Sequence, residues 1–335
     1  MSYNVAVVGV TGAVGQEMLA CLEKRGFPVG EVKALASSRS AGKTIRFKGG
    51  ELAIAETTSA SFAGVDIALM AVEADQSREF SPAAAKAGAV VIDNSSAYRM
   101  DPDCPLVIPE VNPEAARRRP KGIIANPNCS TIIMNVPVWP LHRANPVKRI
   151  IVSTYQAASG AGRPAMDELE ATTRDWAAGR PVQPKVFPHQ LVMNLFSHNS
   201  SLHENGYNTE EMKMTLETRK IFSVPDLAVA ATCVRVPVLR AHCEAVTLEF
   251  TRPMRPEEAT AILAQAPGVR ILDDRENNRS PQPLDAAGQG DVLVGRVRED
   301  LSLPGRGLML WVAGDQLLKG AALNAVQIAE LLENN

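Results

Sequence analysis

Cysteine is sparse in this sequence, and the few present build no framework. The 335 residues contain five, Cys21, Cys104, Cys129, Cys233 and Cys243, an odd and scattered set with no C-x-x-C pair. Such a set excludes a disulfide scaffold and gives no zinc ribbon, so no metal is expected and a reducing, cytoplasmic setting is. An excess of one charge is missing too. The formal net charge is -2, and no basic stripe with interleaved aromatics runs along the chain, so neither nucleic acid nor a membrane surface is an expected partner. No apolar stretch is long enough to span a bilayer. The first residues, MSYNVAVVGV, lack a basic leader and a cleavage site and run directly into a strand-like segment. Internal repeats and low-complexity tracts are absent as well.

What remains is ordinary globular material, enough for more than one core. At 335 residues the chain exceeds the size at which a single hydrophobic core stops growing, so two domains are expected. The first third alternates short β-branched runs (4–10, 33–36, 66–72, 89–93) with helical segments such as 14–25. That rhythm predicts an α/β fold whose N-terminal part is a Rossmann-like, doubly wound parallel sheet. Residues 150–238 are less regular and punctuated by Pro181, Pro184, Pro188 and Pro225, so loops and an inserted excursion are expected there. Later β-rich runs (230–236, 245–250, 292–297, 308–312) predict an α+β domain with a largely antiparallel sheet covered on one face. Residues 316–332 carry a helical apolar stripe, Leu317, Leu318, Ala321, Ala322, Ala325, Ile328, Ala329 and Leu332. This helix is expected to return to the first domain. The expected boundaries are 1–128, completed by about 316–335, for a nucleotide-binding domain, and 129–315 for a catalytic and dimerisation domain.

Directly after the first strand stands Gly9-Val-Thr-Gly12-Ala-Val-Gly15. Glycines between a strand and a helix let backbone approach a pyrophosphate at the helix N-terminus. A tight structural turn is the plain alternative, but strand, glycine turn and helix at the chain start favour nucleotide binding. The second strand ends in Leu35-Ala-Ser-Ser-Arg-Ser-Ala-Gly-Lys43, which has no acidic residue to hold a ribose 2′-hydroxyl. Hydroxyls and a guanidinium, Ser38, Arg39 and Ser40, suit a 2′-phosphate instead, so NADP is preferred over NAD. A solvated polar loop would read the same way.

The sharpest local signal is Ile123-Ile-Ala-Asn-Pro-Asn-Cys-Ser-Thr-Ile132. An apolar run, a Pro-containing turn and a helix-like segment place Cys129 near a predicted helix N-terminus, where backbone N–H groups lower a thiol's pKa and donate to an oxyanion. A buried, inert thiol is the alternative reading. An acid/base partner is then required, and histidine is the natural side chain. Composition does not choose among His142, His189, His198, His203 and His242.

Together these segments resemble the aspartate-semialdehyde dehydrogenase family, from the first glycine turn to the last helix. Asn126-Pro-Asn-Cys-Ser-Thr131 matches the family's nucleophile motif, so the resemblance gives Cys129 the catalytic thiol. The glycine turn, with Gly9, Thr11, Gly12, Ala13 and Val14, would contact cofactor. Thr154-Tyr-Gln-Ala-Ala-Ser-Gly-Ala-Gly162 resembles the segment in which a glutamine orients substrate, Gln156, and the next Ser-Gly, Ser159 and Gly160, touches cofactor. Glu210-Glu-Met-Lys213 implies Glu210 for a substrate amino group and Lys213 for phosphate. Arg235 and His242 match the family's carboxylate-binding arginine and acid/base histidine. Asn94-Ser-Ser-Ala-Tyr-Arg99 brings Arg99 to a phosphate site, and Gly314-Asp-Gln316 resembles a late cofactor contact through Gln316. Two departures, Val10 for a common Ala and Tyr98 for a common Phe, remove no reactive group.

The resemblance implies NADPH-dependent reduction of L-4-aspartyl phosphate to L-aspartate 4-semialdehyde and phosphate through a thioester, on the route to lysine, methionine and threonine. It also implies a homodimer or homotetramer. Two rivals stand beside it. An N-acetyl-γ-glutamyl-phosphate reductase shares the layout, but its substrate would give Glu210 no ammonium to pair with. An inactive paralogue need not retain both Cys129 and His242.

Overall fold

The computed structural model describes residues 2–333, and its internal contacts divide the chain into two compact units, Met1–Asn128 with Ala321–Asn335, and Cys129–Gly320. In the first unit the strands are β1 (Tyr3–Val8), β2 (Val29–Ala36), β3 (Thr44–Phe47), β4 (Gly50–Glu56), β5 (Ile67–Met70), β6 (Val90–Asp93) and β7 (Ile123–Ala125). They form one sheet in the order β3-β4-β2-β1-β5-β6-β7, parallel throughout except for the β3–β4 hairpin. Helices α1 (Ala13–Lys24) and α2 (Ala74–Lys86) complete the βα rhythm. Val5, Ala6, Val7 and Val8 are all buried. Both faces of β1 are therefore covered, which is why its sequence is an unbroken apolar run instead of an alternating one.

Two features of this unit differ from expectation. The β3–β4 hairpin has no strong strand signal, since its residues are short, mixed and largely exposed. Its turn is nevertheless encoded: Lys48 and Gly49 both take positive φ, 48° and 75°, as a tight two-residue hairpin requires. The final helix spans Leu323–Glu330 and does not begin at Gln316. Asp315 interrupts the stripe by accepting the N–H groups of Leu317 at 2.9 Å and Leu318 at 3.2 Å. A π-helical turn, Leu318–Ala322, follows before regular helix starts. The helix is tied back by Glu330, which pairs with Arg25 just beyond α1.

The second unit opens with α3 (Cys129–Ala144) and continues through β8 (Val147–Gln156), α4 (Arg163–Ala177), β9 (Phe196–Ser197), α5 (Thr209–Phe222), β10 (Ala228–Arg235) and β11 (His242–Phe250). Then come α6 (Pro256–Ala264), β12 (Val269–Ile271), α7 (Pro283–Ala286), β13 (Val292–Glu299) and β14 (Gly307–Gly314). Its sheet runs β12-β13-β14-β11-β8-β10-β9 and is mostly antiparallel, with β8–β10 and β12–β13 as parallel pairs.

The stretch expected to be loops therefore holds two full helices as well as strands. Their sequences hide them. On α5 the buried Glu210, Glu211, Thr215, Glu217 and Thr218 interrupt the buried apolar residues Met214, Ile221 and Phe222, so the inward face is mixed and shows no continuous apolar stripe. What begins α5 is a capping box: Asn208 accepts from Glu211 N–H at 3.0 Å while Glu211 accepts from Asn208 N–H at 2.9 Å. Helix α4 buries only Ala165, Leu169 and Thr172, too narrow a stripe to stand out.

Candidate active site

Strand register decides what meets in the second unit. Gln156 and Arg235 are parallel neighbours at the ends of β8 and β10. Strand β11 runs antiparallel to β8, so its first residue, His242, starts beside the same end, with Cys243 opposite Tyr155. Cys129 is the first residue of α3 and Glu210 lies in the first turn of α5. Strand ends and helix starts thus carry the reactive side chains to one place.

Cys129 Sγ lies 3.7 Å from His242 Nε2. The imidazole is fully buried, and its Nδ1 accepts the N–H of Ala157 at 2.9 Å. A backbone N–H is always a donor, so Nδ1 is the unprotonated nitrogen and the hydrogen of the neutral ring sits on Nε2, facing the sulfur. Burial, and then the neighbouring Arg235, push the His242 pKa down to about 3. His242 is therefore a fixed Nε2–H donor. The preceding Ala241 holds a left-handed backbone, φ 73°, and gives its N–H to Gln316 Oε1 at 2.8 Å. Gln316 in turn donates to Ser159 Oγ.

Around this pair stand opposite charges. Glu210 is 5% exposed, accepting from Gln156 Nε2 at 3.1 Å and Lys213 Nζ at 3.0 Å. Gln156 also donates to Ser130 Oγ at 2.7 Å, and its buried Oε1 has no partner among the described residues. Arg235 donates through Nη1 to Ala157 O at 3.2 Å, while its buried Nε has no partner among the described residues. Burial lowers the Arg235 pKa, and the carboxylate of Glu210 counteracts it. Gly160 makes the cluster possible: a Cβ there would lie 2.8 Å from Arg235 Nη1 and 3.1 Å from the His242 ring.

The structure thus gathers Cys129, Gln156, Ser159, Gly160, Glu210, Lys213, Arg235, His242 and Gln316 in the second unit. The other histidines outside this cluster pack structurally: His142 stacks on Trp139, His189 sits edge-on to Phe196, and His203 bonds Thr209. The sequence singles out neither of two further neighbours. Ser130 is adjacent to the thiol, and His198 approaches Arg235 at 2.8 Å. Nothing in the sequence around His198 separates it from the other histidines, because only the two-residue strand β9 aligns it. The remaining thiols are inert by burial, which raises Cys233 and pushes Cys243 up to about 12.

The first unit holds the other predicted residues by itself. Gly9 has φ 80°, and a Cβ would lie 2.2 Å from Ala71 O. A Cβ on Gly15 would lie 2.3 Å from Gly9 O, so this glycine lets α1 pack tightly on the turn. Thr11, Gly12, Ala13 and Val14 lead into the N-terminus of α1, the end of a helix at which backbone N–H groups face a bound phosphate. Ser38, Arg39 and Ser40 form a short turn after β2, with Ser38 and Arg39 exposed. A cleft of about 510 Å³ opens beside the glycine turn, between α1 and the hairpin, with Thr11, Gln16, Lys43 and Arg46 in its lining. Crowded glycines at a helix start and cations beyond β2 fit a phosphorylated dinucleotide. Arg99 is buried, donating to Asn126 O at 3.0 Å and Asn94 O at 2.9 Å. Asp93 shapes that loop by accepting from Ser95 N–H at 2.9 Å and Ser95 Oγ at 2.8 Å. Among the described residues no cluster of His, Cys, Asp and Glu suits a metal ion, and no helix is long and apolar enough to cross a membrane.

Comparison with known proteins points in one direction. The family described as "Semialdehyde dehydrogenase, NAD binding domain" matches residues 4–119, and "Semialdehyde dehydrogenase, dimerisation domain" matches residues 138–319. An aspartate-semialdehyde dehydrogenase of Synechocystis is 55% identical over 98% of this chain and 97% of its own. The structure of aspartate semialdehyde dehydrogenase II of Vibrio cholerae complexed with ASA superposes with a TM-score of 0.97 at 45% identity, covering 100% of this chain and 99% of that one. The enzyme of Candida albicans, solved with NADP, gives a TM-score of 0.75 at 25% identity, with 99% of each chain covered.

Proposed function

The chain belongs to the aspartate-semialdehyde dehydrogenase family, and we propose that it converts L-4-aspartyl phosphate, NADPH and a proton to L-aspartate 4-semialdehyde, phosphate and NADP. The observation that carries this reading is Cys129 Sγ at a helix start, 3.7 Å from His242 Nε2, with the opposite charges of Arg235 and Glu210 both acting on that imidazole. The α3 N-terminus and Arg235 favour the thiolate. It attacks the acyl carbon, a C–S bond forms, and the C–O bond to phosphate breaks. Arg99 and Lys213 take the phosphate charge, and the departing phosphate oxygen picks up the one proton of the overall reaction from water. The result is a thioester on Cys129.

Bound NADPH supplies the hydride that reduces the thioester carbon. The residues fit that cofactor through the glycine turn of Gly9 to Gly15, through Ser38, Arg39 and Ser40 toward the 2′-phosphate, and through Ser159, Gly160 and Gln316. Both tetrahedral states carry an oxyanion, and the Nε2–H of His242 donates to it. Collapse of the second state returns the aldehyde and the Cys129 thiolate, so no net proton is required from His242. A donor of fixed tautomer is chemically sufficient. Gln156 orients the side-chain carbonyl.

Arg235, with its unpartnered Nε, takes the α-carboxylate, and Glu210 takes the ammonium. This argues against an N-acetylated substrate, which would leave Glu210 opposite a neutral amide at a cost on the order of a few kcal/mol. The homo-oligomer reading, with a dimer as its unit, is supported by the uncovered face of the second sheet, where Ile151 is 42% and Tyr155 37% exposed. Five free cysteines support a reducing cytoplasm. The test compares kcat/KM for aspartate semialdehyde and N-acetylglutamate semialdehyde with NADP and phosphate. The first substrate should prevail by at least about a hundredfold; parity would favour the reductase rival.

A further inference from the structure

His198 has no part in the mechanism above, yet it makes the shortest contact of the guanidinium on which substrate recognition is proposed to depend. Strand β9 pairs with the last two residues of β10, Ser197 with Val234 and Phe196 with Arg235. The N–H of His198 then donates to Cys233 O at 2.8 Å, which sets the imidazole beside Arg235. Arg235 Nη2 lies 2.8 Å from His198 Nε2. A guanidinium has donors only, so Nε2 is the acceptor in this contact, the shorter of the two that the ring nitrogens make with N–H groups. Nδ1 lies 3.1 Å from Ser200 Oγ and 3.2 Å from the backbone N–H of the same residue. Ser200 Oγ also receives the backbone N–H of Glu210 at 3.1 Å.

The chain of contacts therefore runs Arg235, His198, Ser200, Glu210. It joins the cation and the anion assigned to the two ends of the amino-acid substrate. Apart from His198, Arg235 has one carbonyl bond, to Ala157 at 3.2 Å, and the ring of Phe187 at 5.8 Å. Neither fixes rotation of the planar fork about its own axis. Burial and the adjacent Arg235 push the His198 pKa down to about 4, which keeps the ring a neutral acceptor at physiological pH.

We infer that His198 is a positioning residue: it fixes the orientation of Arg235 and its spacing from Glu210, and so selects substrates bearing an α-carboxylate and an ammonium at that separation. The substrate half of this inference rests on the proposed function; the orientation half does not. Two experiments separate them. In steady-state assays His198→Leu should raise the KM for aspartate semialdehyde at least about tenfold, the worth of one hydrogen bond to a charged group, with kcat within about twofold. His198→Gln, whose Oε1 replaces the acceptor, should restore KM to within about threefold. In alkylation assays, iodoacetate carries a carboxylate to Cys129 and iodoacetamide does not. The ratio of their rates should fall at least about fivefold in His198→Leu and recover in His198→Gln, whatever the natural substrate. An unchanged alkylation ratio in His198→Leu, or a Gln variant as impaired as Leu, would overturn the positioning role. A changed ratio with unchanged KM would leave Arg235 positioned by His198 and overturn only its part in substrate selection.

Discussion

The two units use their sheets in opposite ways. In the first, the central strands are apolar and buried on both faces, and the chemistry lies in backbone: glycines, a helix start, a turn after β2. In the second, the strand ends themselves are polar and buried, with Thr154, Gln156, Arg235, His242 and Glu244 all at most 4% exposed. A backbone site tolerates loss of side chains and fails when a Cβ is added. A side-chain site fails when a hydrogen-bonding atom is removed or displaced, and it demands satisfied partners throughout.

This contrast can be broken by mutation. The largest effect expected after loss of the thiol itself is His242→Ala, which should lower kcat at least about a hundredfold with little change in NADP affinity. His242→Gln keeps an N–H donor and should lose only about tenfold. If Gln were as damaging as Ala, His242 would be moving a proton instead of holding one. Gly160→Ala should lower kcat/KM about a hundredfold, because its Cβ displaces both Arg235 and the His242 ring; an activity within twofold of the parent would show that the cluster yields easily.

In the first unit the informative change is an addition. Gly15→Ala should destabilise the protein by about 1–3 kcal/mol in denaturant titrations and weaken NADP binding, since its Cβ meets the carbonyl of Gly9. Unaltered stability would mean that α1 is not held against the turn. Arg39→Ala, in contrast, should weaken NADP about tenfold and leave NAD nearly unaffected in binding titrations. Equal losses would remove Arg39 from the 2′-phosphate.

The smallest effect concerns Glu244, two residues beyond His242 on the same buried face and opposite Thr154 and Val312. Both its oxygens lack a partner among the described residues, and burial raises its pKa well above 4.5. The folded state thus holds a proton that the unfolded chain releases above about pH 4.5. Stability should decline as pH rises from there toward the folded pKa. Glu244→Gln removes that linkage, so its Tm should fall less than the parent's between about pH 5 and pH 8. Parallel Tm curves would mean that the carboxyl is ionised and solvated.

The same contrast explains what was legible in the sequence. Gly9 to Gly15 and Ser38 to Ser40 are contiguous and follow strands, so local pattern found them. Cys129 was visible for the same reason, as the residue that opens a helix after a Pro turn. Gln156, Glu210, Arg235 and His242 are separated by up to 86 positions, and strand register alone brings them together; family resemblance located them where periodicity did not. Helices α4 and α5 are hidden because the apolar stripe of the first is narrow and that of the second is broken by buried polar residues. The C-terminal helix was read too long because Leu317 and Leu318 continue the apolar stripe through a turn that the Asp315 carboxylate actually shapes. His198 depends on a two-residue strand, which leaves no sequence trace.

The central claim is that acyl transfer passes through Cys129, and mass spectrometry addresses it directly. The enzyme is incubated with aspartate semialdehyde and NADP in the absence of phosphate, quenched in acid and digested. An aspartyl thioester should add about 115 Da to the peptide bearing Cys129, disappear when phosphate is supplied before the quench, and be absent from Cys129→Ala. No adduct alongside NADPH formation, or an adduct on Cys233 or Cys243, would contradict it.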